Sequence, residues 1–400
     1  MANAPDLFYG CLCLETSSPT KSLLPARARQ TANIPLPEIH FNIWEEGIDT
    51  DPFLDIGIML SVSDPAERIE IFLPWTLEPT KIEDLSPRIL ASNGVSAIFN
   101  EAWTSSTATN SPGGFVTRNN GSVFTIVPYN QPIIEKRQHQ TGLFSSIVFD
   151  IAQIKATSVS AATNAPKKTD QMYVRIRVKG VPESFYRVGF DQGDALGGGA
   201  FNRTEIIDFR LNVRRGVPSG IESILSGRFV EFSKVQLFLM KHRNQDIVFE
   251  DKLFKACRSL EDENFWAGYI LPLGAPAEAQ EKSRKQVTGS LGYQWRKTPE
   301  GTQSEITEFG MLARFKSYKM KGMTVTVFVL LALLLGALGN GIYDLGKSIF
   351  GGSEAAAASK DTCKDQSQLS AAGGVGNSTA TDQDKPKQKV RQSKLKQGDS

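Results

Sequence analysis

The chain has 400 residues, of which 22% are charged, and its formal net charge is +2. This length is sufficient for two domains at the usual ~150 residues each, and so small a net charge does not point to nucleic acid or to an acidic partner. The four cysteines, which are scattered and cannot form a disulfide framework, suit a reducing compartment; they are Cys11, Cys13, Cys257 and Cys363.

The first 37 residues predict a flexible N-terminal arm. Met1 to Leu14 lack a basic start and a continuous apolar run, so no secretory signal is expected. Glu15 to Pro37 are rich in Ser, Thr, Pro, Ala and Arg without a period, which is typical of a loop. We therefore expect the ordered body of the protein to begin at residue 38.

Residues 38–155 predict a first β-rich unit. Apolar residues alternate with polar or small ones over residues 56–62 and again over residues 68–75, which indicates two half-buried strands. The turn residues between them predict an antiparallel hairpin. A short helix is expected near residues 82–90, and Asn-Asn-Gly at residues 119–121 predicts a second hairpin.

Residues 168–320 predict a second β-rich unit, which a long loop at residues 156–170 separates from the first. Its clearest strands are residues 173–179 and 207–214, where apolar and charged residues alternate strictly. Helices are expected at residues 219–225, 253–266 and 275–286. Many short strands with few short helices favour a mainly β fold, antiparallel and arranged as a sandwich or a partly open barrel.

Residues 323–343 predict a transmembrane helix. The run reads MTVTVFVLLALLLGALGNGIY and contains no charge as far as Gly339. A bilayer core of ~30 Å needs about 20 mostly apolar residues in a helix, so the run is long enough to cross. The alternative is a buried core helix, but such helices usually keep a polar face. The segment beyond it, 351–400, is polar and basic, which predicts a disordered tail.

The distribution of positive charge predicts the sidedness of this helix. Four basic residues precede it closely, whereas two follow it at greater spacing: Arg314, Lys316, Lys319 and Lys321 come before, and Lys347 and Lys360 after. Positive charge near a span stays cytoplasmic. We therefore expect a cytoplasmic body and a tail on the opposite side of the membrane.

Small residues along the helix predict self-association in the bilayer. Ala332, Gly336 and Asn340 recur every four residues and therefore share one helix face. Small side chains let two helices approach closely, and this packing drives association where lipid surrounds both. The alternative is the ordinary Gly and Ala content of membrane helices.

The charged faces of two strands predict a site for an anion. Arg175, Arg177 and Lys179 alternate with apolar residues on one strand, as do Arg210 and Arg214 on another. If both strands belong to one sheet, these side chains form a cationic strip suited to a carboxylate or a phosphate, such as that of a nucleotide. The alternative is a solvated sheet face on which Asp208 and nearby acids neutralise the cations.

No pattern in the chain predicts a catalytic motif, a metal site or a cofactor, so the sequence leans against an enzyme. We expect a binding or sensing module tethered to a membrane. Its expected partners are the lipid bilayer, a second copy through the helix, and an anionic small molecule or a protein. A membrane-active effector that clusters its helices is the first alternative, and an enzyme whose site forms only in the folded chain is the second.

Overall fold

The computed structural model describes residues 11–17, 35–45, 52–91, 94–99, 102–107, 113–118, 121, 123–129, 133–139, 142–161, 169–190, 202–213, 229–271, 275–318 and 322–350. The predicted helix at 219–225, the tail at 351–400 and most of the N-terminal arm lie outside these residues. Residues as far as Val329 form one compact unit.

The prediction of a mainly β fold with few short helices is confirmed. The strands are β1 (Cys11–Ser17), β2 (Glu38–Trp44), β3 (Phe53–Ser61), β4 (Arg68–Leu73), β5 (Ile82–Asp84), β6 (Trp103–Thr107), β7 (Gly114–Arg118), β8 (Val123–Ile126), β9 (Ile133–His139), β10 (Gly142–Asp150), β11 (Gln171–Lys179), β12 (Arg187–Phe190), β13 (Asn202–Leu211), β14 (Lys234–His242), β15 (Gln245–Glu250), β16 (Phe254–Ser259), β17 (Ser290–Lys297) and β18 (Phe309–Tyr318). The α-helices are α1 (Ser86–Leu90), α2 (Gly94–Phe99), α3 (Ile151–Ala161), α4 (Glu263–Ile270), α5 (Ala277–Thr288) and α6 (Gly322–Phe350).

The strands form two sheets. One has ten strands in the order β16-β17-β14-β2-β3-β11-β8-β7-β6, with β5 also paired to β11. The other has eight in the order β15-β18-β13-β1-β4-β10-β9, with β12 also paired to β13. The sheets are not purely antiparallel as expected, because β2·β14, β8·β11 and β1·β13 are parallel pairs. We call these strands, with α1 to α5, the two-sheet body.

One apolar core lies where the two sheets face each other. Phe41 of the ten-stranded sheet contacts Phe209 of the eight-stranded sheet with ring centroids 5.0 Å apart. The alternating residues Val174, Ile176 and Val178 point into the same core. Burying one such side chain contributes about 1.5–3 kcal/mol, so this face sets the register of each strand.

A second, smaller core lies on the outer face of the ten-stranded sheet. Helices α1, α2 and α4 place apolar side chains there, among them Ile89, Val95 and Trp266, against Trp44 of β2. Both faces of the middle strands are therefore buried, as is every residue of β3.

The predicted hairpin over residues 56–75 is wrong, although both strands exist. β3 pairs with β2 and β11 in the ten-stranded sheet, whereas β4 pairs with β1 and β10 in the eight-stranded sheet. Six residues connect them, enough to cross from one sheet to the other. A period of two predicts a strand, but it does not predict which sheet contains that strand.

Three other segments differ from expectation. Residues 156–161 belong to α3, and residues 254–259 form β16, which pairs with β17. Cys11–Ser17, in the expected arm, form β1 between β13 and β4. The strands of segments 38–155 and 168–320 also pair with each other, as β2·β14 and β3·β11 show. Pairing with distant strands decides the two strand segments, β1 and β16, since their local pattern is weak.

Helix α6 contains the predicted apolar run. It has 29 residues, and its part Val329–Ile349 is long and apolar enough to cross a membrane by length and composition. Large apolar side chains along that part are exposed, with Leu333 at 66% and Ile342 at 70%. These side chains therefore do not take part in the core of a folded domain within the described residues.

Candidate functional site

The predicted cationic residues of β11 lie under a helix instead of facing solvent. Their strand alternates as expected, with Val174, Ile176 and Val178 in the core between the sheets and the charged residues on the outer face. Helix α4 covers that face, so Arg175 is 0% and Arg177 1% exposed. The alternation along β11 was therefore predicted correctly, but Arg175 and Arg177 do not face solvent as predicted.

Arg177 forms a two-point ion pair with Asp55. The two residues are register partners on β11 and β3. Nε of Arg177 donates to Oδ1 of Asp55 at 2.7 Å and Nη2 donates to Oδ2 at 3.1 Å. Burial alone disfavours the charged guanidinium, but the Asp55 carboxylate outweighs it and raises the pKa of Arg177. The guanidinium of Arg177 therefore stays charged inside the protein.

Arg175 extends this pair into a hydrogen-bonded network. Its Nε donates to Oη of Tyr269, and its Nη1 donates to Oη of Tyr173, both at 2.8 Å. The Tyr269 hydroxyl in turn donates to Oδ2 of Asp55 at 2.8 Å. Nη2 of Arg175 lies 3.9 Å from the same carboxylate oxygen. Asp55 thus receives charge-assisted contacts from two guanidinium groups and one hydroxyl.

A glycine on the neighbouring strand makes room for this network. Gly57 of β3 is the register partner of Arg175 on β11 and of His40 on β2. A Cβ atom at residue 57 would lie 2.1 Å from Oη of Tyr173 and 3.0 Å from Nη1 of Arg175. The absence of a side chain at Gly57 therefore leaves room over β3 for the Tyr173 hydroxyl, which lies between Arg175 and His40.

His40, which is also buried, forms the end of the network next to Glu38. Its Nδ1 is 3.5 Å from Oη of Tyr173, and its Nε2 is 3.5 Å from Oε2 of Glu38. Burial, which the neighbouring carboxylate does not offset, lowers the pKa of His40 to about 4. The pKa of Glu38 falls to about 2 despite burial, because His40 and Lys234 stabilise its carboxylate.

Two guanidinium groups hold the C-terminal end of α4. Nη1 of Arg177 donates to the carbonyl of Tyr269 at 2.9 Å, and Nη1 of Arg88 donates to the same carbonyl at 2.6 Å and to that of Leu271. Arg88 also pairs with Glu83. The last carbonyls of a helix carry partial negative charge, so cations at this end are favourable. The N-terminal end is capped by Asp262, which accepts from the N–H of Phe265.

The structure brings together only part of the predicted anion site. Lys179 lies at the rim of the network and pairs with Glu83 at 2.7 Å. Arg210 is on β13 in the other sheet, where its Nε donates to Oδ1 of Asp208 at 2.9 Å. Arg214 lies outside the described residues. The arginines of β11 and β13 therefore do not share a sheet face.

A second buried ion cluster connects the two sheets. Nζ of Lys241 on β14 lies 2.5 Å from a carboxylate oxygen of Glu45 and 2.7 Å from one of Glu205 on β13. Arg187 contacts the other oxygen of Glu205 at 2.5 Å. Burial raises the pKa of Glu45, whereas Lys241 and Arg187 outweigh burial and lower that of Glu205. Sequence reasoning missed this cluster because its members lie far apart along the chain.

Sequence reasoning also missed Asp55, Tyr269 and Arg88 as members of the first network. A weak signal was present, since Asp55 interrupts an otherwise apolar or small-residue strand over 53–61. An acid at such a position needs a buried cation, and the arginines of β11 supply one.

No protein-family model matches the chain, and no curated protein matches it in sequence.

Proposed function

We propose that this protein is anchored in a membrane by α6 and that its two-sheet body, a β-sandwich, acts as a binding or sensing module. The observation that supports the anchor is the exposed apolar surface of Val329–Ile349. Exposed Leu and Ile side chains over 21 residues are unfavourable in water and favourable in a bilayer core. The small-residue face of α6, at Ala332, Gly336 and Asn340, adds self-association within the bilayer to the proposal.

Membrane fractionation of the full chain tests the anchor. The wild type is expected to stay with membranes after washing at alkaline pH. Leu333→Arg with Leu334→Arg places two charges at the middle of the span, each unfavourable by about 2.5–3.5 kcal/mol on insertion scales, and is expected to release the protein. Leu333→Ile with Leu334→Ile is the matched control and is expected to remain bound. Wild-type protein that washes off would refute the anchor.

The proposed orientation has the body in the cytoplasm and the tail on the opposite side. The basic residues Arg314, Lys316, Lys319 and Lys321 precede the span, and this bias keeps that side cytoplasmic. Protease added to intact cells or spheroplasts is expected to shorten the protein by its tail alone. Digestion of the body while the membrane is intact would show that the orientation is the opposite one.

A binding role is favoured over catalysis because the titratable groups that converge in the body are buried and engage one another. Asp55 and Arg175 are inaccessible to solvent, and α4 closes the site above them. A substrate would have to displace the helix to reach them. Leakage of liposomes that depends on α6 would instead favour the membrane-active effector.

The sequence based the anionic-ligand form of the proposal on Arg175, Arg177, Lys179, Arg210 and Arg214. In the folded chain it rests on Lys179 at the rim of the network, because Arg210 lies in the other sheet and Arg175 and Arg177 are buried. At Arg177 an anion would compete with Asp55 and with a carbonyl of α4. Titration calorimetry with ATP and with inorganic phosphate tests this form of the proposal. Binding heat that is present for the wild type and absent for Lys179→Gln supports an anion site at the rim. If the wild type gives no binding heat, the anionic ligand is refuted, and the proposal of a protein partner still stands.

A further inference from the structure

Two consecutive strands form the outer edges of the two sheets on one side of the body. β15 is the last strand of the eight-stranded sheet, β16 is the last strand of the ten-stranded sheet, and residues 251–253 connect them. Within the described part of the chain, no other strand pairs with the outer side of either. Such edges present backbone N–H and C=O groups with which another chain can pair.

The side chains of these edges are exposed and partly apolar. Val248 and Phe249 of β15 are 50% and 47% exposed, and Ala256 and Cys257 of β16 are exposed as well. Each strand also has a bulge, whose extra residue is Val248 in β15 and Lys255 in β16. These extra residues have no register partner within their own sheet, and both are exposed at the edge.

The two edges carry opposite charges. β15 has the acids Asp246 and Glu250, whereas β16 has the bases Lys255 and Arg258. Glu250 and Lys255 are exposed, and within the described residues neither forms an ion pair. Contact of β15 with β15 of another copy would oppose acids, whereas contact of β15 with β16 opposes acid and base.

The strand directions also suit contact of β15 with β16 of another copy. β18 ends at Tyr318, three residues before α6 begins, and β15 is antiparallel to it. A two-residue turn at 243–244 reverses the chain between β14 and β15, so these two strands run in opposite directions. β16 runs in the same direction as β14, because both are antiparallel to β17. β15 and β16 of one chain therefore run in opposite directions, and rotation about an axis parallel to the strands preserves this relation.

The two edge strands are also level with each other. Tyr293 is the register partner of Cys257 on β16, and its ring lies 5.1 Å from that of Phe315, which is the register partner of Ile247 on β15. Ile247 and Cys257 are therefore level. A two-fold rotation therefore places Val248 near Cys257 of the second copy. The same rotation places Glu250 near Lys255 of the second copy.

We propose that the body associates with a second copy of this chain through these edges, with β15 of each copy antiparallel to β16 of the other. A two-fold axis along the strands forms both contacts at once, as closed dimers require. The same axis brings the two chain exits at Tyr318 to the same side, which suits two proteins held in one membrane. The contact combines strand pairing, an apolar centre and two acid–base pairs.

Cysteine crosslinking of the full chain in membranes tests this contact directly. With copper phenanthroline added to isolated membranes as the oxidant, Val248→Cys is expected to form a disulfide with the native Cys257 of a second copy, identified by mass spectrometry of the peptide that joins residues 248 and 257. Val159→Cys is the control, because Val159 is 67% exposed on α3 and lies away from both edges. Crosslinking at 248 no greater than at 159 would overturn the proposal.

Charge reversal separates this interface from association through α6. Glu250→Lys and Lys255→Glu are each expected to weaken dimers of the detergent-solubilised full chain at least about tenfold, because each opposes like charges twice. Co-expression of the two single variants under different tags is expected to restore co-purification, since every reversed charge then meets its opposite. Single variants that associate like the wild type, or a mixture that associates no better than either single variant, would refute this interface.

Discussion

Asp55 and Arg177 face each other directly on β3 and β11, and the guanidinium contacts both carboxylate oxygens in a site that solvent does not reach. The residues are 122 positions apart in the chain. A buried pair of this kind gains mutual attraction but loses the hydration of both ions. Its main consequence is that neither member can be removed alone without leaving an unpaired buried charge.

Replacing Arg177 is therefore expected to destabilise the fold. Arg177→Gln leaves Asp55 facing one fewer cation and frees a carbonyl of α4, so we expect a loss of about 3–5 kcal/mol in the free energy of unfolding. Denaturant unfolding of the detergent-solubilised chain, followed by tryptophan fluorescence, measures it. The control is Arg284→Gln on α5, whose ion pair with Glu281 is about half exposed and contributes roughly 0–1 kcal/mol. Equal losses in both variants would show that the buried pair is not structural.

Gly57 offers a steric test of the same network. Gly57→Ala places a methyl group 2.1 Å from the Tyr173 hydroxyl, so the ring must move and its bond with Arg175 must break. We expect a loss of about 1–3 kcal/mol, the usual range for overpacking. Gly268→Ala in α4 is the matched control, because no atom lies within 4 Å of its new Cβ and alanine favours a helix. The prediction fails if Gly57→Ala unfolds at the wild-type temperature.

His40 makes the stability of the body depend on pH. Its pKa is about 4 in the folded chain and 6.5 in the unfolded chain, so between these values only the unfolded chain binds the proton. Acidification from pH 6.5 to pH 4 therefore favours unfolding, by up to about 3 kcal/mol at 1.4 kcal/mol per pKa unit. Glu38, with a folded pKa of about 2, adds a further loss below pH 4.5. Melting temperatures of wild type and His40→Gln across this range measure the effect, and parallel curves would contradict it.

The small-residue face of α6 predicts which substitutions weaken helix association. Gly336→Ile is expected to reduce dimers in a membrane two-hybrid assay, because its bulk separates helices that pack at Ala332 and Gly336. A Cβ at Gly336 meets no atom within 4 Å, so the helix itself tolerates the change. Leu334→Ile, two positions away on another face, is the control and is expected to leave the signal unchanged. Equal signals would show that this face is not in contact.

The sequence alone determined the features that depend on local geometry. Val174, Ile176 and Val178 point to one side of β11 and Arg175 and Arg177 to the other, because successive side chains of any strand alternate. The apolar run in α6 and the hairpin at Gly121, whose φ is 80°, follow from equally local rules. These predictions need no knowledge of distant parts of the chain.

The tertiary structure decided what covers each face. The polar side of β11 is buried only because α4, about ninety residues later, lies across it and supplies Tyr269. Likewise β3 and β4 belong to different sheets because their pairing partners come from distant segments. Burial and strand pairing are sums over non-local contacts, which no local period contains, so the same alternation describes an exposed cationic strip or a closed ion network. The contact of Asp55 with Arg177 distinguishes the two, and only the folded chain brings those residues together.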